Sequence, residues 1–104
     1  MRGKTLHEKI GLKDITFDIK KFWEVAETLP EVEVNGKMIN ESFFLRLRYD
    51  SEGNINNTFS EISKTLNLTY NQAQYQVERA FRHMLHPYRA TKYLGKKIRK
   101  PTGE

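Results

Sequence analysis

One short pattern stands twice in the C-terminal half of this chain, eleven residues apart, and it limits the possible folds more than any other feature. Thr58-Phe59-Ser60-Glu61 and Thr69-Tyr70-Asn71-Gln72 each set a hydroxyl three residues before a carboxylate or carboxamide. This is a capping box. The hydroxyl accepts from the backbone N–H three residues on, and the later side chain reaches back to the first N–H. Each box starts a helix, so the first helix must end before the second box begins. The spacing predicts helices over 59–66 and 70–85. Asn67 falls where the chain needs a left-handed residue, which Asn tolerates better than most. Ile62 and Leu66 face inward on the first helix, and Leu68 is a buried turn residue. On the second helix the inward stripe is Ala73, Val77, Ala80, Phe81 and Met84. Pro87 stops that helix or breaks it.

Two capped helices joined by a short turn, with a small residue at their crossing, fit a helix-turn-helix over 58–86. An ordinary helical hairpin gives part of the same pattern. Upstream, Ile19, Phe22, Trp23 and Ala26 follow a helical period, and Pro30 closes a helix over 18–28. Val32 and Val34 alternate ahead of Asn35-Gly36, which permits a β-hairpin. The helical period then returns at Ile39, Phe43 and Leu47, with Phe44 and Leu45 widening the stripe. A loop followed by a helix over 38–49 is therefore expected. Residues 50–54 break that helix, and 88–98 can form a last short one. The expected fold is all-α, a bundle of four to five helices with the helix-turn-helix at its C-terminal end. Residues 17–89 form the domain, 1–16 an N-terminal extension and 90–104 a basic tail. The expected core is Ile19, Phe22, Trp23, Ile39, Phe43, Leu47, Ile62, Leu66, Leu68, Ala73, Val77, Ala80, Phe81 and Met84.

Charge is distributed unevenly. The net charge is +5, yet residues 1–78 hold 10 Lys/Arg against 12 Asp/Glu, while 79–104 hold 8 against Glu104 alone. Such a patch suits nucleic acid or another acidic surface, or else is a solvated tail. In a helix-turn-helix the start of the second helix enters the major groove. With the apolar stripe inward, Asn71, Gln72, Gln74, Tyr75, Glu78, Arg79 and Arg82 face outward. Asn and Gln can pair with adenine N6 and N7, and Tyr75 can pack on a thymine methyl or reach a phosphate.

Catalysis is not expected. There are no cysteines, no P-loop, no dinucleotide fingerprint and no nucleophile with its base, so no cofactor is implied. His83 and His86 have a spacing that can bind metal, but no third ligand accompanies them. Glu24, Glu27, Glu31 and Glu33 read as a solvated acidic face. No apolar run is long enough for a membrane span and no secretory signal is visible, so a cytoplasmic location is expected.

From Leu29 to Arg89 the chain resembles region 4 of bacterial RNA polymerase sigma factors. The matching pieces, in order, are Leu29-Pro30-Glu31, Glu41 through Tyr49, Thr58 through Leu66, Leu68-Thr69 and His86-Pro87-Tyr88-Arg89. Residues 32–40 look like an insertion and Asn54 to Asn57 a longer loop. The second helix lacks the arginines and glutamate of primary sigma factors. The resemblance implies double-stranded promoter DNA as one partner, with base contacts on Tyr70, Asn71, Gln74 and Tyr75. Phosphate contacts fall on Thr69, Arg79, Arg82, Arg89, Lys92, Lys96 and Lys97. The second implied partner is the β flap of core RNA polymerase, with Phe43, Phe44 and Leu47 as docking candidates, although at least two of the three are better read as core. With no room for a promoter-melting region 2, a separate region 2-type subunit is a further expected partner. The alternatives are an independent helix-turn-helix regulator, and a phage-type protein that binds polymerase or sigma without reading DNA.

Overall fold

The computed structural model describes residues 4–10 and 15–96. Its C-terminal half follows the capping logic closely. Helices α4 (Phe59–Leu66) and α5 (Tyr70–Leu85) occupy the spans that the boxes predict. Both boxes are closed in both directions. Thr58 N donates to Glu61 at 2.7 Å and Glu61 N to Thr58 Oγ1 at 3.1 Å. Thr69 N donates to Gln72 at 2.9 Å and Gln72 N to Thr69 Oγ1 at 3.0 Å. Asn67 is left-handed at φ 56°, which lets Leu68 N donate to Ser63 O at 2.8 Å and close the end of α4. Ala73, Val77, Ala80, Phe81 and Met84 are all buried, as the stripe requires.

The N-terminal half departs from expectation in four places. Helix α2 (Ile19–Ala26), capped by Asp18, is shorter than 18–28. Residues 27–29 continue it only as a tighter turn, with Leu29 N donating to Ala26 O, before Pro30 ends it. The loop expected over 31–37 is instead a β-hairpin of β2 (Glu31–Val34) and β3 (Lys37–Asn40), in the register Val34↔Lys37 and Val32↔Ile39. Asn35 (φ 52°) and Gly36 (φ 79°) are both left-handed, as a two-residue hairpin turn demands. The chain is therefore mostly helical but not purely so.

The hairpin delays the next helix, α3 (Glu41–Arg48), until Asn40 caps it by accepting from Ser42 N at 2.8 Å. This also corrects the helix phase. The expected stripe of Ile39, Phe43 and Leu47 is rotated by about one residue. Phe44 and Leu45 are in the core, Ile39 and Leu47 pack at its margin, and Phe43 is exposed. The true inward stripe includes Glu41 and Arg48, both buried. Charged residues on that face hide the period from any count of apolar residues.

The described parts of the expected extension and tail join the fold. Residues 1–16, expected to be an extension, contain helix α1 (Leu6–Ile10), whose Leu6 is completely buried, and strand β1 (Ile15–Phe17). Its start is a third box of the same type. Thr5 N donates to Glu8 Oε1 at 2.8 Å and Glu8 N to Thr5 Oγ1 at 3.2 Å. Residues 90–96, assigned to a tail, lie in helix α6 (Pro87–Tyr93) and strand β4 (Leu94–Lys96). Strand β4 pairs antiparallel with β1. Pro87 occupies the first turn of α6, where its missing N–H is harmless. Phe17, Phe22 and Tyr93 meet edge to face with centroids 5.0–5.8 Å apart.

Tyr93 closes this cluster by donating its hydroxyl to Met84 O at 2.6 Å. Burial pushes its pKa up to about 12, from an ordinary 10.0. The unfolded chain then ionises Tyr93 first as pH rises. Stability should be fully present below about pH 10 and fall through the interval up to about 12, by on the order of 2 kcal/mol. Tyr49 is raised in the same direction by burial and adds to that slope. Tyr93→Phe should lose about 1 kcal/mol near neutral pH, because Met84 O is left without its donor. It should also show a shallower alkaline decline. Urea unfolding followed by circular dichroism across this pH range measures both effects.

Candidate nucleic-acid interface

The exposed side of α5 begins at its capping box. Tyr70 and Tyr75 are each about half exposed, Asn71 is exposed and Gln74 is partly so. Positions 70, 74 and 71, 75 lie one turn apart, so these four side chains form a single polar and aromatic face at the start of the helix. Tyr70 is steadied there by Phe59 of α4, edge to face at 5.9 Å. The run of amides divides by role. Gln72 is used in the cap. Gln76 turns inward, its Oε1 buried without a hydrogen-bond partner among the described residues. That leaves Asn71 and Gln74 facing outward.

The basic side chains expected to meet phosphate are differently placed. Arg82 is exposed beside this face. Arg79 is 38% exposed, and its Nε lies 3.5 Å from Glu41 Oε2. Arg89 bonds to the fold at its surface. Its Nε donates to Thr28 Oγ1 at 3.0 Å and its Nη2 to Thr28 O at 3.1 Å, tying α6 to the end of α2. Lys92 lies over the Tyr88 ring at 4.3 Å. Thr69 is exposed, with its hydroxyl occupied by the cap. Lys96 ends β4, and Lys97 lies outside the described residues.

The three apolar docking residues separate cleanly. Phe44 is 0% exposed and belongs to the core, Leu47 packs against that core, and Phe43 is 40% exposed. Phe43 lines an apolar cleft of about 530 Å³ with Val34, Met38, Ile39 and Leu66. The hairpin forms one wall of this cleft. Its turn is tied to the other wall by Asn35 Nδ2, which donates to Leu66 O at 3.1 Å.

Behind α5 lies a charged cluster that periodicity alone does not show. Glu41 is 0% exposed, with His83 Nδ1 2.6 Å from its Oε1 and Arg79 on its other oxygen. It joins the first turn of α3 to the middle and end of α5. His86 accepts from Tyr88 N and caps α6. Both histidines thus have structural partners, and among the described residues no three His, Asp or Glu side chains converge on a metal position. None of the described helices is long and apolar enough to cross a membrane. Comparison with protein-family models, curated proteins and solved structures finds no match to this chain.

Helix α1, the hairpin and the β1–β4 pair all lie outside the expected fold, and two of the three left a local signal. Helix α1 carried a signal in Thr5-x-x-Glu8, the same pattern that announced α4 and α5. The hairpin carried Asn35-Gly36 between alternating valines, and the overlapping helical period at Ile39 obscured it.

Proposed function

We propose that this protein is a DNA-binding transcription initiation factor that uses α4 and α5 as a helix-turn-helix, in the manner of sigma factor region 4. The observation that carries the proposal is the exposed face of Tyr70, Asn71, Gln74 and Tyr75 at the capped start of α5. Its two amides can bond base edges, its aromatics can pack on thymine methyls, and its low charge limits attraction to unrelated DNA. Arg82 and Arg79 flank it and supply phosphate contacts, which position the protein without selecting sequence. The cleft lined by Phe43, Met38 and Ile39 is the surface offered to the β flap of core RNA polymerase. On this reading the protein works in a bacterial or bacteriophage-infected cytoplasm.

The first test is co-elution with bacterial core RNA polymerase on a sizing column, with the chain also run alone. Co-elution that survives removal of residues 97–104 supports the reading. A dimer alone with no co-elution overturns it in favour of an independent regulator. The second test is selection of duplexes from a randomised pool by the protein or its polymerase complex. Gln74→Ala should then weaken binding to the selected duplex by about 1–3 kcal/mol and leave an unrelated duplex unchanged. Equal losses on both duplexes would show that Gln74 reads no base.

The second reading is a protein that docks on polymerase or sigma without reading DNA. It is favoured by the nearly uncharged face of α5 and the exposed Met38 and Phe43. Tight polymerase binding with no duplex selected would establish it.

A further inference from the structure

Helix α1 reaches α5 through Lys9, which is paired with an acidic residue of that helix. Lys9 Nζ is 3.4 Å from both carboxylate oxygens of Glu78 and 4.6 Å above the Phe81 ring. Glu78 is the only acidic residue in α5, and it stands one turn beyond Gln74 and Tyr75. A carboxylate there repels phosphate, and Lys9 cancels that repulsion. Exposed Lys4 lines the same cleft of about 350 Å³, together with Lys9, Phe59 and Glu78. Phe59 is also the ring that supports Tyr70. The cleft therefore borders the proposed base-reading face. Helix α1 is held in place by more than this ion pair, since Leu6 is fully buried and its N–H donates to Gly53 O at 2.9 Å.

We infer that α1 is part of the DNA-binding surface, with Lys9 masking Glu78 and Lys4 facing the phosphate backbone beside α5. The inference rests on the proposed DNA-reading role of α5. It predicts a contribution that does not depend on base sequence, because it arises from phosphate charge.

The test is fluorescence anisotropy over a salt series with the full chain. The probes are a duplex selected on the wild-type protein and an unrelated duplex of equal length. Lys9→Met keeps the aliphatic stem over Phe81 and removes the charge. It should weaken both duplexes about equally, by roughly threefold to tenfold, because the unmasked Glu78 then repels phosphate. Adding Glu78→Gln should restore most of the loss. Lys4→Gln, at an exposed position, should lower the salt slope by about one unit. Lys9→Arg keeps the charge and should recover most of the binding lost in Lys9→Met. Unchanged affinity and slope in Lys9→Met and Lys4→Gln, with the wild type still selecting DNA, would overturn the inference and leave the DNA-reading role standing. A wild-type chain that binds no duplex, alone or with polymerase, would overturn both.

Discussion

Replacing Ala73 by glutamate is expected to destroy the cooperative helical fold. Ala73 is completely buried one turn into α5, a helix that packs on both α3 and α4. A glutamate there has no water and no counter-ion within the apolar stripe, and its added volume forces α5 off its neighbours. The combined effect should be about 4 kcal/mol or more, a large part of the roughly 5–15 kcal/mol that stabilises a small domain. Asn71→Glu, two residues earlier and exposed, is the control. It adds the same charge near the positive end of the helix and should change stability by less than about 0.5 kcal/mol. Thermal melts by circular dichroism of the two variants decide the matter. A fully helical, cooperatively melting Ala73→Glu would show that α5 does not pack through this stripe.

Removal of His83 should have the next largest effect, and its size relative to removal of Glu41 is the informative part. The carboxylate of Glu41 is 0% exposed, while His83 and Arg79 are 36% and 38% exposed. Loss of Glu41 releases two side chains that water can still reach. Loss of His83 leaves a buried acid without its short contact. His83→Ala should therefore cost about 3 kcal/mol, and Glu41→Leu, which refills the volume with an apolar group, about 1–2 kcal/mol. The double variant should cost clearly less than the sum, because the two changes dismantle one interaction. Urea unfolding of the three variants measures the coupling. Additive losses would show that the contact between α3 and α5 does not contribute as a pair.

The same cluster shows why α3 was placed in the wrong phase from sequence. Its inward stripe runs Glu41, Phe44, Leu45 and Arg48, and two of those four residues carry charges that any reading by hydropathy assigns to solvent. Their burial depends on partners distant in the chain: His83 and Arg79 for Glu41, and the carbonyl of Asn57 for Arg48, whose Nη1 donates to it at 3.0 Å. Arg89, expected to meet phosphate, also bonds within the fold, spanning 61 residues to reach Thr28. A guanidinium has the same chemistry in either role, and the sequence does not show the internal bond.

The bounds of α4 and α5, the left-handed turn at Asn67 and the buried stripe of α5 were determined by the sequence alone. Capping boxes and helical period act over a few residues, so their physics is complete within the local chain. The exposed face of α5 follows from the same arithmetic, because an inward stripe leaves only one side free. The tertiary structure decided everything that depends on distant partners. It seated Leu6 under the loop at Gly53, paired β1 with β4 across the length of the chain, buried Glu41 behind α5 and brought Lys9 against Glu78. Each of these rests on a charge or an apolar side chain finding its complement across many residues, and no local pattern encodes that meeting.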